Sequence, residues 1–69
     1  MTESDVRPFL TREWRTTVEI ARDVYEAEGR RGDFEMVRTR IAHTLSMMEK
    51  RRKVERNGAV LPHKWRLAE

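Results

Sequence analysis

Few residues of this chain belong to types that carry reaction chemistry, and their spacing argues against such chemistry. Cysteine is absent, which excludes disulfides, iron–sulfur clusters, thiolate zinc sites and thiol nucleophiles. His43 and His63 stand far apart in the chain with no third nitrogen or thiolate to complete a metal shell. Ser4 and Ser46 lack the glycine-flanked elbow of a nucleophilic serine. Gly29-Arg30-Arg31-Gly32 lacks the Lys-Ser/Thr ending and the preceding strand of a phosphate-binding loop. A chain of 69 residues is also small for enclosing a substrate pocket of the usual volume. The residues therefore imply no enzyme, no cofactor, no metal and no small-molecule substrate.

The chain does carry positive charge, gathered in one half. Residues 1–33 hold six Arg against eight Asp or Glu, and residues 34–69 hold nine Lys or Arg against four Glu. The pI is near 10.0. Lys50-Arg51-Arg52-Lys53 alone concentrates four cations. Such a cluster neutralises phosphates, which adds affinity and salt sensitivity without sequence information. It equally complements the dipole at a helix C-terminus, and an acidic protein suits the same charge.

The elements that must position these residues follow from pattern. Charged residues are 39% and apolar residues 38%, with the signs nearly cancelling at a net +3, so the chain is expected to fold as one small domain over 1–69. No apolar run approaches a membrane span, and the start Met1-Thr2-Glu3-Ser4-Asp5 lacks a signal peptide's apolar stretch. The expectation is a soluble, cytoplasmic protein.

Val6, Phe9 and Leu10 share one helical face and suggest a first helix over Ser4–Thr11, capped by Ser4 or Asp5 with Pro8 in or just after its first turn. Thr16-Thr17-Val18-Glu19 has the form of a capping box opening a second helix, with Ile20, Ala21, Val24 and Tyr25 as its buried stripe and Gly29 as its stop. Asp33 caps a third helix from about Phe34 to Lys50 or Arg52, its core face formed by Val37, Ile41, Thr44, Leu45 and Met48. Its far arc holds Arg38, Thr39, Ala42, His43, Ser46 and Lys50, with Arg40 and Met47 on the shoulder. Trp14 and Trp65 are expected in the core and Met36, Met47 and Met48 as gap-fillers. Val54-Glu55-Arg56 and Lys64-Trp65-Arg66-Leu67 alternate as half-buried strands do. They pair as a hairpin with a long loop, or else Lys53–Arg56 turns tightly at Asn57-Gly58 onto Ala59–Pro62, against which Pro62 counts.

The order of helix, extended segment, helix, helix and hairpin, mostly α with a small β-hairpin, resembles the three-helix winged helix-turn-helix family of DNA-binding domains. The residues carrying this resemblance are Thr16-Thr17-Val18-Glu19-Ile20-Ala21, Val37-Arg38-Thr39-Arg40-Ile41-Ala42-His43-Thr44-Leu45 and the two strands. The connector from about Glu28 to Asp33 is longer than that family's usual turn. The resemblance implies sequence-specific binding of double-stranded DNA by a small transcriptional regulator of bacterial or phage type, with helix three in the major groove.

Under it, Arg38 faces a guanine edge, Thr39, His43 and Ser46 offer single hydrogen bonds, and Ala42 lets the helix approach. Lys50, Arg51, Arg52 and Lys53 meet phosphates, while Arg56, Asn57, His63 and Lys64 belong to a wing reaching a minor groove or flanking phosphates. Arg15 and Thr17 lie near the free N–H groups at the start of helix two and make further phosphate candidates. The alternative is a winged-helix protein–protein module, an antiactivator or adaptor; homodimerisation and RNA binding stay open. DNA binding calls for one uninterrupted positive face from Arg38 through Lys50–Lys53 to Lys64. The protein-binding alternative calls for Glu35, Glu49 or Glu55 to break that face, and for Met47 or Val60-Leu61 to lie exposed.

Overall fold

Helix α2 (Thr17–Ala27) begins at its capping box. Thr16 accepts the Glu19 N–H at 3.1 Å on its hydroxyl, and the Glu19 carboxylate accepts the Thr16 N–H at 3.2 Å. It ends in a Schellman closure: Gly29 adopts φ +79° and its N–H bonds the Glu26 carbonyl, while the Arg30 N–H bonds that of Tyr25. Asp33 caps α3 (Phe34–Lys50) by accepting the Glu35 N–H at 3.0 Å. The same closure ends α3, with the Arg52 N–H on Glu49 and the Lys53 N–H on Met48. Here the left-handed position is filled by Arg52, at φ +59°, rather than glycine.

The computed structural model describes residues 2–68. Its remaining elements are α1 (Glu3–Val6) with a 3-10 turn at Arg7–Phe9, β1 (Arg15–Thr16), β2 (Val54–Arg56) and β3 (Lys64–Leu67). The three strands form one antiparallel sheet in the order β1-β3-β2. Val54 faces Leu67 and Arg56 faces Trp65 across β2 and β3, which is the long-loop hairpin. The chain is thus mostly α, three helices with a small sheet. The core is one cluster in which Val6, Ile20, Ile41, Leu45 and Met48 are wholly buried, joined by Val24, Val37, Val54 and Trp65. Helices α2 and α3 pack on each other, and α1 and β2 pack on α3.

Several expectations need correction. The first helix is not a continuous Ser4–Thr11 rod: α1 is a single turn capped from Thr2, whose N–H donates to Asp5 at 2.9 Å. Asp5 is therefore the third helical residue rather than the cap. Pro8 then falls in the 3-10 turn, and Leu10 is already extended. Trp14 is not in the core. It is 40% exposed and its ring carries the Arg66 guanidinium 4.3 Å from its centroid, a cation–π contact that satisfies an aromatic face without burying it. Met36 fills no gap and is 55% exposed.

Candidate nucleic-acid interface

Because α3 turns Val37, Ile41, Thr44, Leu45 and Met48 inward, its helical period turns Thr39, His43, Ser46 and Lys50 to solvent. No carboxylate lies on this helix between Glu35 and Glu49. The Thr39 hydroxyl bonds back to the Glu35 carbonyl at 2.9 Å. His43, Ser46 and Lys50 have no side-chain hydrogen-bond or ion-pair partner among the described residues. Ala42 is half-buried beside them. Arg38 is half-buried as well, and its guanidinium lies on Glu35 at 2.8 and 3.1 Å.

The other predicted residues divide by partner. Arg51 and Lys53 both bind the Glu3 carboxylate, at 2.8 and 3.0 Å. That contact holds the Glu3 carboxyl below its ordinary pKa, chiefly through the Lys53 hydrogen bond. Arg56 spans from the hairpin to Glu49 on α3 at 3.2 Å, and Glu55 meets Arg66 across the strands at 3.4 Å. By contrast, Arg40, Lys50 and Arg52 are exposed cations with no hydrogen-bonded or ion-paired side chain among the described residues, and Lys64 is exposed near Glu19, whose carboxyl it helps the Thr16 N–H to hold below its ordinary pKa.

Four residues expected to touch phosphate or flank the wing make contacts within the fold. Arg15 donates to the Phe9 carbonyl at 2.9 Å and pairs with Asp23 at 2.6 Å. Thr17 accepts the Trp65 indole N–H at 2.8 Å, tying α2 to the central strand. Asn57 organises the hairpin loop: its side-chain oxygen accepts the Lys64 N–H at 3.0 Å and its amide donates to the Pro62 carbonyl at 3.4 Å. His63 lies against Trp65, with ring centroids 6.3 Å apart, and its carbonyl accepts the Thr17 N–H. Its Nδ1 is buried without a protein partner.

The positive face is interrupted. Glu35, Glu49 and Glu55 each sit on an arginine of this half. Val60 and Leu61 in the hairpin loop are 64% and 75% exposed, while Met47 is half-buried. Arg40, placed on the shoulder by the helical wheel, is among the free cations. Nothing local in the sequence marks Glu3 as a partner of residues 48 and 50 positions away.

Comparison with family models, with characterised proteins and with solved structures finds no match. Among the described residues no three His, Asp or Glu side chains converge as a metal ion would require, and no helix is long and apolar enough to cross a membrane. What the arrangement offers chemically is hydrogen bonding from an exposed helix face and exchangeable charge around it. Exposed ion pairs of this kind are worth only about 0–1 kcal/mol, so an incoming phosphate can take over their cations.

Proposed function

We propose that this protein is a winged helix-turn-helix module that binds double-stranded DNA, with α3 in the major groove and the β2–β3 hairpin as its wing. The observation that carries the reading is the outward face of α3. Thr39, His43, Ser46 and Lys50 lie there side by side, exposed and backed by a packed core, with Glu35 one turn before Thr39 at the N-terminal end of the face. The chain order of helix, strand, helix, helix and hairpin, with β3 between β1 and β2, supports the same family. Thr39, His43 and Ser46 supply hydrogen bonds to base edges, and Ala42 leaves room for close approach. Arg38 reaches guanine by leaving Glu35, an exposed pair one helical turn apart that costs little to open.

Affinity comes from the exposed cations Arg40, Lys50, Arg52 and Lys64, with Arg56 recruited from Glu49 as the wing closes on the backbone. Arg15, Thr17, Asn57 and His63 support the scaffold through the contacts already described. A selection from random-sequence duplexes, followed by a salt titration of the enriched pool, tests the proposal. Four to five phosphate contacts give a slope of about −3.5 to −4.5 in log K against log salt. Binding to duplex that stays flat between low and moderate salt rejects it.

A protein-binding module is the second reading. The exposure of Val60 and Leu61 and the three carboxylates that break the positive face are the features this reading calls for, and they count against the uninterrupted face that DNA binding calls for. The protein-binding reading calls for no enrichment from the duplex pool.

A further inference from the structure

We infer that Arg51 and Lys53 form an oxyanion site whose occupant in the free protein is the chain's own Glu3, and that this site accepts a phosphate group when Glu3 leaves. The inference rests on the DNA-binding reading for the source of that phosphate, but not for the site itself. Arg51 Nη1 takes one oxygen of the carboxylate at 2.8 Å and Lys53 Nζ takes the other at 3.0 Å. Two cations on two oxygens of one anion is the arrangement by which charged donors hold a phosphate.

The backbone fixes both cations. The Lys53 N–H closes the end of α3 on the Met48 carbonyl and the Lys53 carbonyl accepts the Ala68 N–H, while the Arg51 N–H bonds Met47. Glu3 is the first residue of a single-turn helix, its carbonyl accepting the Arg7 N–H. Its side chain is only 21% exposed, whereas those of Arg51 and Lys53 are 60% and 45% exposed. The cations can therefore be reached from solvent while Glu3 occupies them from below. The groove they line, about 520 Å³, continues to His43 on α3, so it opens beside the face proposed to meet DNA. The carboxyl, already ionised more readily than usual through Lys53, competes as an anion at neutral pH.

Three full-length proteins test this by nuclear magnetic resonance titration with inorganic phosphate: the wild type, Glu3→Gln and Glu3→Gln/Arg51→Met. Glu3→Gln is expected to show saturable shifts centred on Arg51 and Lys53, about three- to tenfold tighter than in the wild type, and the double variant to lose them. Circular dichroism monitors folding, and Glu3→Ala serves as a second variant with the same expectation. In parallel, a random-sequence duplex should bind Glu3→Gln about three- to tenfold more tightly, with a salt slope steeper by roughly one to two units. Glu26→Gln, which removes a carboxylate paired with Arg30 at the end of α2, should alter neither titration.

Identical phosphate titrations of wild type and Glu3→Gln, or shifts centred elsewhere, overturn the site. Salt-dependent duplex binding that Glu3→Gln leaves unchanged overturns the competition. A phosphate titration that succeeds while no variant binds duplex rejects the DNA reading and leaves the oxyanion site standing.

Discussion

Replacing Thr17 by valine separates a phosphate contact from a structural one. The hydroxyl accepts the indole N–H of Trp65 at 2.8 Å, and Trp65 is only 3% exposed. Valine keeps the shape and the branching but removes the acceptor, leaving a buried donor without a partner. Such a loss costs about 1–3 kcal/mol, more than the roughly 0.5–1.5 kcal/mol an intact neutral hydrogen bond contributes, because the indole keeps its desolvation penalty. For a domain of this size each kcal/mol moves the melting temperature by about 4–8 °C. At roughly 1.5 kcal/mol the expected drop is therefore about 6–12 °C. Thermal and urea unfolding measure it, and duplex affinity is measured well below the transition, where both proteins are folded. Stability should fall and affinity should hold. A melting temperature within a degree or two of wild type, with duplex binding weakened several-fold, would show that Thr17 serves the ligand and that the indole contact carries no weight.

Three further outcomes follow from particular contacts. Arg52→Gly relieves an L-residue held at φ +59° and should stabilise the fold by about 0.5–1 kcal/mol once the extra freedom of the unfolded chain is deducted; a lower melting temperature contradicts this. Glu19 is held below its ordinary pKa by the Thr16 N–H, Asp5 by the Thr2 N–H, and Glu26 by the Arg30 side chain. A depressed carboxyl stabilises the fold above its unfolded value and loses that contribution as pH falls through the folded one, so the melting temperature should stay level down to about pH 5 and decline below about pH 4; a rise on acidification would refute the linkage. Lys50→Ala should weaken all duplexes alike and reduce the salt slope by about one unit, whereas Arg38→Ala should relax sequence preference at one position; fluorescence anisotropy on matched and scrambled duplexes distinguishes the two.

The parts of the fold that were legible in the sequence are those whose signals are local and repeated. The reciprocal Thr16–Glu19 bonds, the Asp33 cap and the inward stripe of α3 each lie within a few residues of chain. The hairpin was readable because Val54 to Arg56 and Lys64 to Leu67 alternate and Pro62 disfavours the shorter pairing. Strand β1 is legible only as an extended segment, since two residues hold no period. Scarcity of aromatics suggests burial for Trp14, whereas Arg66, fifty-two positions on, covers its face instead. The site divides the same way: exposure along α3 follows from its helical period, but ion pairing does not. The attachment of Arg51 and Lys53 to Glu3, and the use of Arg15 and Thr17 as struts, depend on contacts between distant segments that charge and capping patterns leave unspecified.

The strand order also governs when this molecule can exist during synthesis. Both outer strands hydrogen-bond only to the middle one, which is made after them. Until Lys64–Leu67 has left the ribosome, Arg15–Thr16 and Val54–Arg56 have no sheet to join, and the cleft that receives Trp65 stays open. Completion of the sheet therefore comes late and joins widely separated stretches of chain, the kind of topology that slows folding. A nascent chain stalled just short of Lys64 should remain protease-sensitive throughout, and release of a few more residues should convert it to a resistant form in one step.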